Sequence, residues 1–249
     1  MSPGTALVTG AARRIGRAIA VDLARHGWAV AIHCSQSVDE AADLERAIRA
    51  NGGQAAVYPA DLASTAACEQ LIDRVADRQS PLTVLVNNAS VFERDELGGV
   101  TEASWDRHLD VNLRAPLFLT QRFAARLPAG QTGNVVNIID ERVWNLTAHF
   151  VSYSASKAGL WALTQTTALA LAPRIRVNAI GPGPVLPSSR QSQADFDRQT
   201  AATPLKRGAH PDEIAGAVRF LLSAPAVTGQ MIALDGGAHL QWRAQAVTE

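Results

Sequence analysis

The sequence predicts one doubly wound α/β domain, a mostly parallel sheet with helices on both faces. Three observations predict it. The 249 residues match one large domain. Short apolar runs alternate with longer stretches of helical spacing along the whole chain, the pattern of consecutive βαβ units. The apolar runs also lack the in–out polarity of a half-exposed sheet, as expected for strands buried on both faces.

Each element has a local reason. Ala6–Thr9 is a short apolar strand ending at a glycine turn, and Arg14–His26 has helical spacing with Gly27 as its stop. Trp28–Cys34 reads as a strand, and Asp39–Ala50 as an amphipathic helix ended by Asn51-Gly52-Gly53. Ala55–Pro59 is a strand, Thr65–Arg78 a helix and Thr83–Asn87 a strand. Glu102–Leu127 is a long helical region with a kink expected at Pro116. Asn134–Ile139 (strand), Val151–Leu171 (helix) and Arg176–Ile180 (strand) follow. Pro211–Ser223 is a helix with proline at its first position, and Met231–Leu234 closes the sheet. Residues 182–203, rich in Pro, Ser and Gln, read as a long loop, and a loop of that length in a compact domain is usually functional.

Composition excludes several classes. With 47% hydrophobic residues the chain buries a substantial core and is not disordered. Its 23 basic and 23 acidic residues cancel, which disfavours a nucleic-acid partner bound through its phosphates. Cys34 and Cys68 stand in no metal-ligand or disulfide pattern, so no metal is expected. The N-terminus lacks a signal-peptide pattern, and no run of 18 apolar residues occurs. The expected setting is the cytoplasm, with no membrane contact.

The first chemical signal is Thr9-Gly10-Ala11-Ala12-Arg13-Arg14-Ile15-Gly16, between the first strand and the first helix. A glycine turn there aims backbone N–H groups at an anion on the helix N-terminus, the dinucleotide site of a Rossmann-type fold. Gly10, Arg13, Arg14, Ile15 and Gly16 are its candidate residues. The end of the second strand reads His33-Cys34-Ser35-Gln36-Ser37, with no acid before Asp39. A 2′-phosphate would meet no repulsion there, with Arg13 supplying charge and His33, Ser35 and Ser37 polar contacts. The cofactor expected is NADPH.

The second signal is Tyr153-Ser-Ala-Ser-Lys157, whose Tyr and Lys share a helix face. An ammonium beside a phenol is expected to lower the phenol's pKa and make it a usable acid or base. In this context the chain resembles the short-chain dehydrogenase/reductase family over nearly its whole length. The motifs are Thr9-Gly10 with Gly16, Asp61-Leu62, Asn87-Asn88-Ala89, Asn112, Tyr153 with Lys157, and Pro182-Gly183. The resemblance implies Tyr153 as proton donor, Lys157 on the nicotinamide ribose and Asn112 as the anchor of a relay water. It further implies Asp61 and Leu62 at the adenine, Asn87 and Ala89 along the cofactor, and a homotetramer; Pro182, Gly183 and Val185 are further cofactor candidates.

Two departures narrow the reading. The middle glycine of the family turn is Arg14, which must point away from the turn and could bridge phosphate and substrate. Thirteen residues before Tyr153, where the family usually carries serine, stands Asp140. An alkoxide developing on a ketone needs donors, so an ionised carboxylate suits it poorly. A carboxylate does suit a substrate rich in N–H groups, or a C=N bond whose nitrogen gains a proton. With Ser90 and Phe92 after Asn87-Asn88-Ala89, these residues resemble the pteridine reductases of the family. That branch implies Ser90 on the pterin or cofactor and Phe92 stacked on the pterin. Arg14, Ser90, Phe92, Asp140 and Tyr153 are then the substrate residues. The activity implied is NADPH-dependent reduction of a pterin C=N bond, catalysed by Asp140, Tyr153, Lys157 and Asn112, with residues 182–203 as a substrate-side lid. The alternatives are a reductase of another carbonyl or imine, and a dinucleotide-binding protein without activity.

Overall fold

The computed structural model describes residues 4–78, 80–188 and 190–241. Seven strands form one sheet: β1 Thr5–Val8, β2 Ala29–Cys34, β3 Ala55–Pro59, β4 Leu82–Asn87, β5 Gly133–Ile138, β6 Ile175–Pro182 and β7 Met231–Leu234. Their order is 3-2-1-4-5-6-7, and every pairing is parallel. All seven carboxyl ends therefore lie along one edge. The order reverses between β1 and β4, where open sheets of this type bind ligands.

The helices are α1 Arg14–Arg25, α2 Val38–Ala50, α3 Thr65–Arg78, α4 Glu102–Leu109, α5 Ala115–Arg126, α6 Val151–Leu171, α7 Gln193–Ala202 and α8 Pro211–Ser223. Strand pleating divides the core between the two faces. Ala6 and Val8 of β1 pack with Ile19 and Leu23 of α1, Leu44 of α2 and Val218 of α8. Leu7, between them in sequence, packs on the opposite face with Leu71 and Ile72 of α3 and Leu119 and Phe123 of α5. Fully burying one such side chain contributes about 2 kcal/mol, which explains strands apolar at every position.

The structure corrects two local expectations. Residues 182–203 are not one loop, because α7 occupies Gln193–Ala202 and β6 runs through Pro182. The helical region 102–127 is not kinked at Pro116. It widens into a π-turn at Asp110–Arg114, and Pro116 sits in the first turn of α5. The cause is still the proline, which has no N–H to give the carbonyl of Asn112 four residues earlier. The ladder slips instead, and the Ala115 N–H donates to the Asp110 carbonyl, five residues back.

Candidate active site

The turn after β1 is fastened to the end of β4. Thr9 Oγ1 accepts from the N–H groups of Asn88 (2.9 Å) and Ala89 (3.0 Å). Gly10 has φ +61°, and a Cβ there would stand 3.0 Å from Ala89 Cα. A Cβ on Gly16 would stand 2.4 Å from the Gly10 carbonyl, so both glycines are required by close approach. The N-terminus of α1 has no side-chain cap and no acid in its first turn. Its orphan N–H groups are thus open to an anion, and the turn fits a pyrophosphate. Ile15 packs on the core, so only its backbone can serve that anion. Arg14 takes φ +54°, a conformation costing a side-chain-bearing residue about 1–2 kcal/mol. Its guanidinium meets the segment that follows β6. It donates to the carbonyls of Leu186 (3.1 Å) and Pro187 (2.9 Å).

His33 is the clearest reassignment. It is 1% exposed, so it is not available to a 2′-phosphate. Its Nδ1 accepts from the Gly10 N–H (3.0 Å), which leaves Nε2 to donate to the Ala60 carbonyl (3.1 Å). The ring is a neutral strut under the phosphate turn. Burial lowers its pKa to about 4, partly opposed by the bond to Ala60. The unfolded chain takes that proton near pH 6.5, so stability is full above pH 6.5 and falls as pH drops towards 4. The expected loss is on the order of 3 kcal/mol at pH 4. Urea denaturation at pH 7 and pH 4.5 checks this: His33→Gln should remove much of the pH dependence, and an unchanged dependence would refute the strut.

On the adenosine side, Ser35 is exposed and Ser37 half-buried just beyond β2. Arg13 is exposed and pairs with Glu40 of α2 at 3.5 Å, an acid the sequence reading did not weigh. Asp61 is exposed beyond β3, one oxygen accepting from Ala63 N–H (3.0 Å), while Leu62 is buried beside it. Asn87 points inward: its amide donates to Asn137 Oδ1 (2.8 Å), and Asn137 donates to Thr164 Oγ1 (2.8 Å). It ties β4 to β5 and α6 at the carboxyl end of β4, and its Oδ1 is buried without a partner among the described residues. Ala89 and exposed Ser90 do face the carboxyl edge.

Asp140 and Tyr153 meet there. The Tyr153 hydroxyl donates to Asp140 Oδ2 at 2.7 Å, while Asp140 Oδ1 accepts from the Arg142 N–H at 2.9 Å. Lys157 is buried with its Nζ on the Ile138 carbonyl at 2.9 Å, and 5.7 Å from the Tyr153 ring centre. This reverses the expected titration of the phenol. Burial, and then the Asp140 carboxylate, hold Tyr153 well above the ordinary tyrosine range. Burial lowers Lys157 to about 8, partly opposed by Asp140. Beside them, burial and Asp140 raise Glu141 to about 8. At neutral pH the site therefore offers a protonated phenol, an acid suited to giving a proton and not to taking one.

Three side chains, Asn112 of the motifs and two that the motifs do not single out, hold the loop that carries Ser90 and Phe92. Asn112, fully buried, accepts from Val91 N–H (2.8 Å) and donates to Val91 O (2.9 Å) and Ser156 Oγ (3.0 Å). Its side chain is thus fully engaged, and only its backbone carbonyl, relieved of a helical partner by Pro116, is left for a water. His108 Nε2 accepts from Glu93 N–H (3.1 Å). The Asp95 carboxylate accepts from Ser152 N–H (3.1 Å) and Ser104 Oγ (3.0 Å), capping the start of α6 one residue before Tyr153. Burial pushes the Asp95 carboxyl up, but these bonds outweigh it and hold the group below its ordinary value. His108 and Asp95 lie in no recognisable spacing, because their partners are set by the fold and not by a motif.

Phe92 reaches the catalytic group but is not an open platform. It stacks on Phe150 (centroids 4.6 Å, 8° between planes) and meets the Tyr153 ring edge-on at 4.7 Å. The buried guanidinium of Arg142 lies 5.3 Å from the Phe92 centroid and 4.8 Å from that of Phe150. Sequence reasoning missed Arg142, which a cation four residues after β5 could have flagged. On the lid side, Pro182 ends β6 and the Gly183 N–H donates to Leu234 O (3.0 Å). Val185, a cofactor candidate, is partly buried against the core at the start of the segment. Trp144 sits against His239 and Trp161, and His149 against Glu96.

Known proteins were then compared with the chain. Residues 10–239 match the family described as enoyl-(acyl carrier protein) reductase. The FolM alternative dihydrofolate reductase 1 of Brucella canis, complexed with NADP, is 49% identical, covers 98% of this chain and 97% of its own, and superimposes with TM-score 0.94. The Brucella suis protein of the same description, also with NADP, is 48% identical over 99% of both chains, with TM-score 0.94. A 3-oxoacyl-acyl-carrier-protein reductase of Synechocystis is 34% identical over 236 residues, 93% of this chain and 95% of that protein. Among the described residues, no helix is long and apolar enough to cross a membrane, and no cluster of three or more His, Cys, Asp or Glu could hold a metal.

Proposed function

The chain belongs to the short-chain dehydrogenase/reductase family, and from that premise we propose that it reduces a pteridine C=N bond with NADPH. The observation that carries the reading is the 2.7 Å hydrogen bond from Tyr153 to Asp140. A carboxylate in the place of a neutral donor disfavours an alkoxide and favours a substrate whose nitrogen acquires a proton. The two Brucella dihydrofolate reductases, at 49% and 48% identity, support the same substrate class.

NADPH, when bound, supplies a hydride to the ring carbon. The chain's own residues supply the rest. With the Gly10 and Ala11 N–H groups taken by His33, the backbone N–H groups of the rest of the turn and of the α1 N-terminus would hold the pyrophosphate, and Gly10 and Gly16 leave room for it. The absence of acid from residues 33–37, with Arg13 nearby, supports the 2′-phosphate, although Glu40 shares the Arg13 charge. Tyr153 and Asp140 share one transferable proton. Delivered to the ring nitrogen as hydride reaches the neighbouring carbon, it turns C=N into CH–NH, and solvent restores it. Lys157, on the Ile138 carbonyl and beside the Tyr153 ring, would hold a ribose hydroxyl of the dinucleotide. Ser90, exposed with its hydroxyl on the Val91 carbonyl (3.3 Å), would swing to the ring edge, and Phe92 must turn from Phe150 to stack on it.

The second reading is carbonyl reduction, which the Synechocystis relative favours by its description. NADPH oxidation followed at 340 nm with dihydrobiopterin, dihydromonapterin, dihydrofolate, biopterin and two simple ketones separates the two, with NADH as control. The expected result is turnover on a reduced pterin and none on ketones. Ketone turnover alone would overturn the pteridine reading and keep the fold and cofactor reading.

A further inference from the structure

We propose that Arg14 is a positioning residue that clasps residues 184–188, the strap following β6, to the phosphate turn, so that strap opening and dinucleotide release are coupled. The proposal rests on the dinucleotide reading of that turn only for the coupling; the clasp stands on geometry. Arg14 Nη1 donates to Pro187 O at 2.9 Å and Nη2 to Leu186 O at 3.1 Å, across 173 and 172 residues of sequence. Two terminal nitrogens on two successive carbonyls use the planar fork of a guanidinium, which an ammonium cannot reproduce.

The strap is built to be held at this point. At its start the Pro184 carbonyl accepts from Ala209 N–H (3.0 Å), and Val185 packs on the core. A Cβ on Gly208 would stand 2.2 Å from the Pro184 carbonyl, so that end is fixed by close approach. Leu186 to Ser188 then run half-buried beyond the sheet edge, where Arg14 supplies donors to two carbonyls that no strand neighbours.

The backbone of Arg14 supports the assignment. A residue with a Cβ at φ +54° is strained, and glycine would be free of that strain. An arginine there persists only where surrounding contacts over-determine it, and the visible contact is the strap. A guanidinium has five N–H donors, and the strap carbonyls take two. Three remain for a phosphate oxygen at the α1 N-terminus, so one side chain can hold strap and dinucleotide together. Release of the dinucleotide then requires the strap to lift.

Two variants of the full chain test this. Arg14→Gly removes the strain and the clasp together; Arg14→Lys keeps the charge without the fork. The first readout needs no ligand. Native-state tryptic cleavage after Arg190, two residues beyond the strap, is timed by mass spectrometry, with cleavage after Arg219 in α8 as internal control. Cleavage after Arg190 is expected to rise about tenfold in both variants while the control stays constant, because proteolysis follows the open population. Unchanged cleavage in Arg14→Gly overturns the clasp. The second readout is NADPH dissociation by stopped-flow fluorescence, expected to speed up in both variants. A faster Arg190 cleavage with an unaltered NADPH off-rate overturns the coupling. A wild-type protein that binds no NADPH overturns the dinucleotide reading and the coupling with it, while the cleavage assay still decides the clasp.

Discussion

Tyr153→Phe is expected to lower pterin turnover by about 10²–10⁴-fold, the range for loss of a positioned proton donor, with NADPH affinity nearly unchanged. The substitution removes one hydroxyl and little else. The ring keeps its edge contact with Phe92 and its place beside His108, so no cavity opens. The group removed is the one donating to Asp140. Burial and the Asp140 carboxylate hold that phenol protonated far above neutrality, so the wild-type donor is fully loaded at pH 7. Steady-state kcat against dihydropterin and NADPH affinity by fluorescence titration read the two halves of the statement. Retained turnover would remove Tyr153 as the donor. Parallel loss of NADPH binding would make its role structural.

Asp140→Ser is expected to lower pterin turnover by about 10²-fold and to admit simple ketones. A serine hydroxyl still caps the Arg142 N–H, so the short turn after β5 survives. What changes is charge. The carboxylate, after burial, raises the Tyr153 pKa. Its removal lets that pKa fall, and the basic limb of the pH–rate profile, where the protonated donor is lost, moves to lower pH. The serine also donates to a developing alkoxide, which the carboxylate cannot do when ionised. Asp140→Asn separates the effects, because it removes the charge and keeps the shape. Unchanged pterin rates in both variants would refute the carboxylate argument, and an unmoved basic limb would refute its hold on Tyr153.

Much of the fold was legible. The helices Thr65–Arg78, Val151–Leu171 and Pro211–Ser223 and the strands Ala55–Pro59 and Met231–Leu234 have the predicted limits, and the other strands differ by one or two residues at their ends. Apolar period and glycine stops are local signals, and the parallel order follows once each strand is separated from the next by a helix. The segment 182–203 misled because α7 has no buried residue and so no apolar stripe to read. The Pro116 break was displaced because a missing N–H disturbs the ladder at its acceptor, four residues earlier.

The site divides along the same line. Sequence alone determined the phosphate turn, the Tyr153–Lys157 pair and the carboxylate at 140, since each is a short motif on one element at the carboxyl edge. Only the tertiary structure decided which way the side chains face and what they meet. His33 turned inward to support Gly10, Asn87 joined Asn137, Phe92 closed on Phe150, and Arg14 reached the strap. It also reversed the expected effect on the Tyr153 phenol. Lys157, four residues away on the helix, is held by a backbone carbonyl, while Asp140 comes within 2.7 Å from another element. Spacing records what a chain places on one face. Burial and charge at a buried oxygen depend on what other elements bring to it, and no short stretch of sequence carries that.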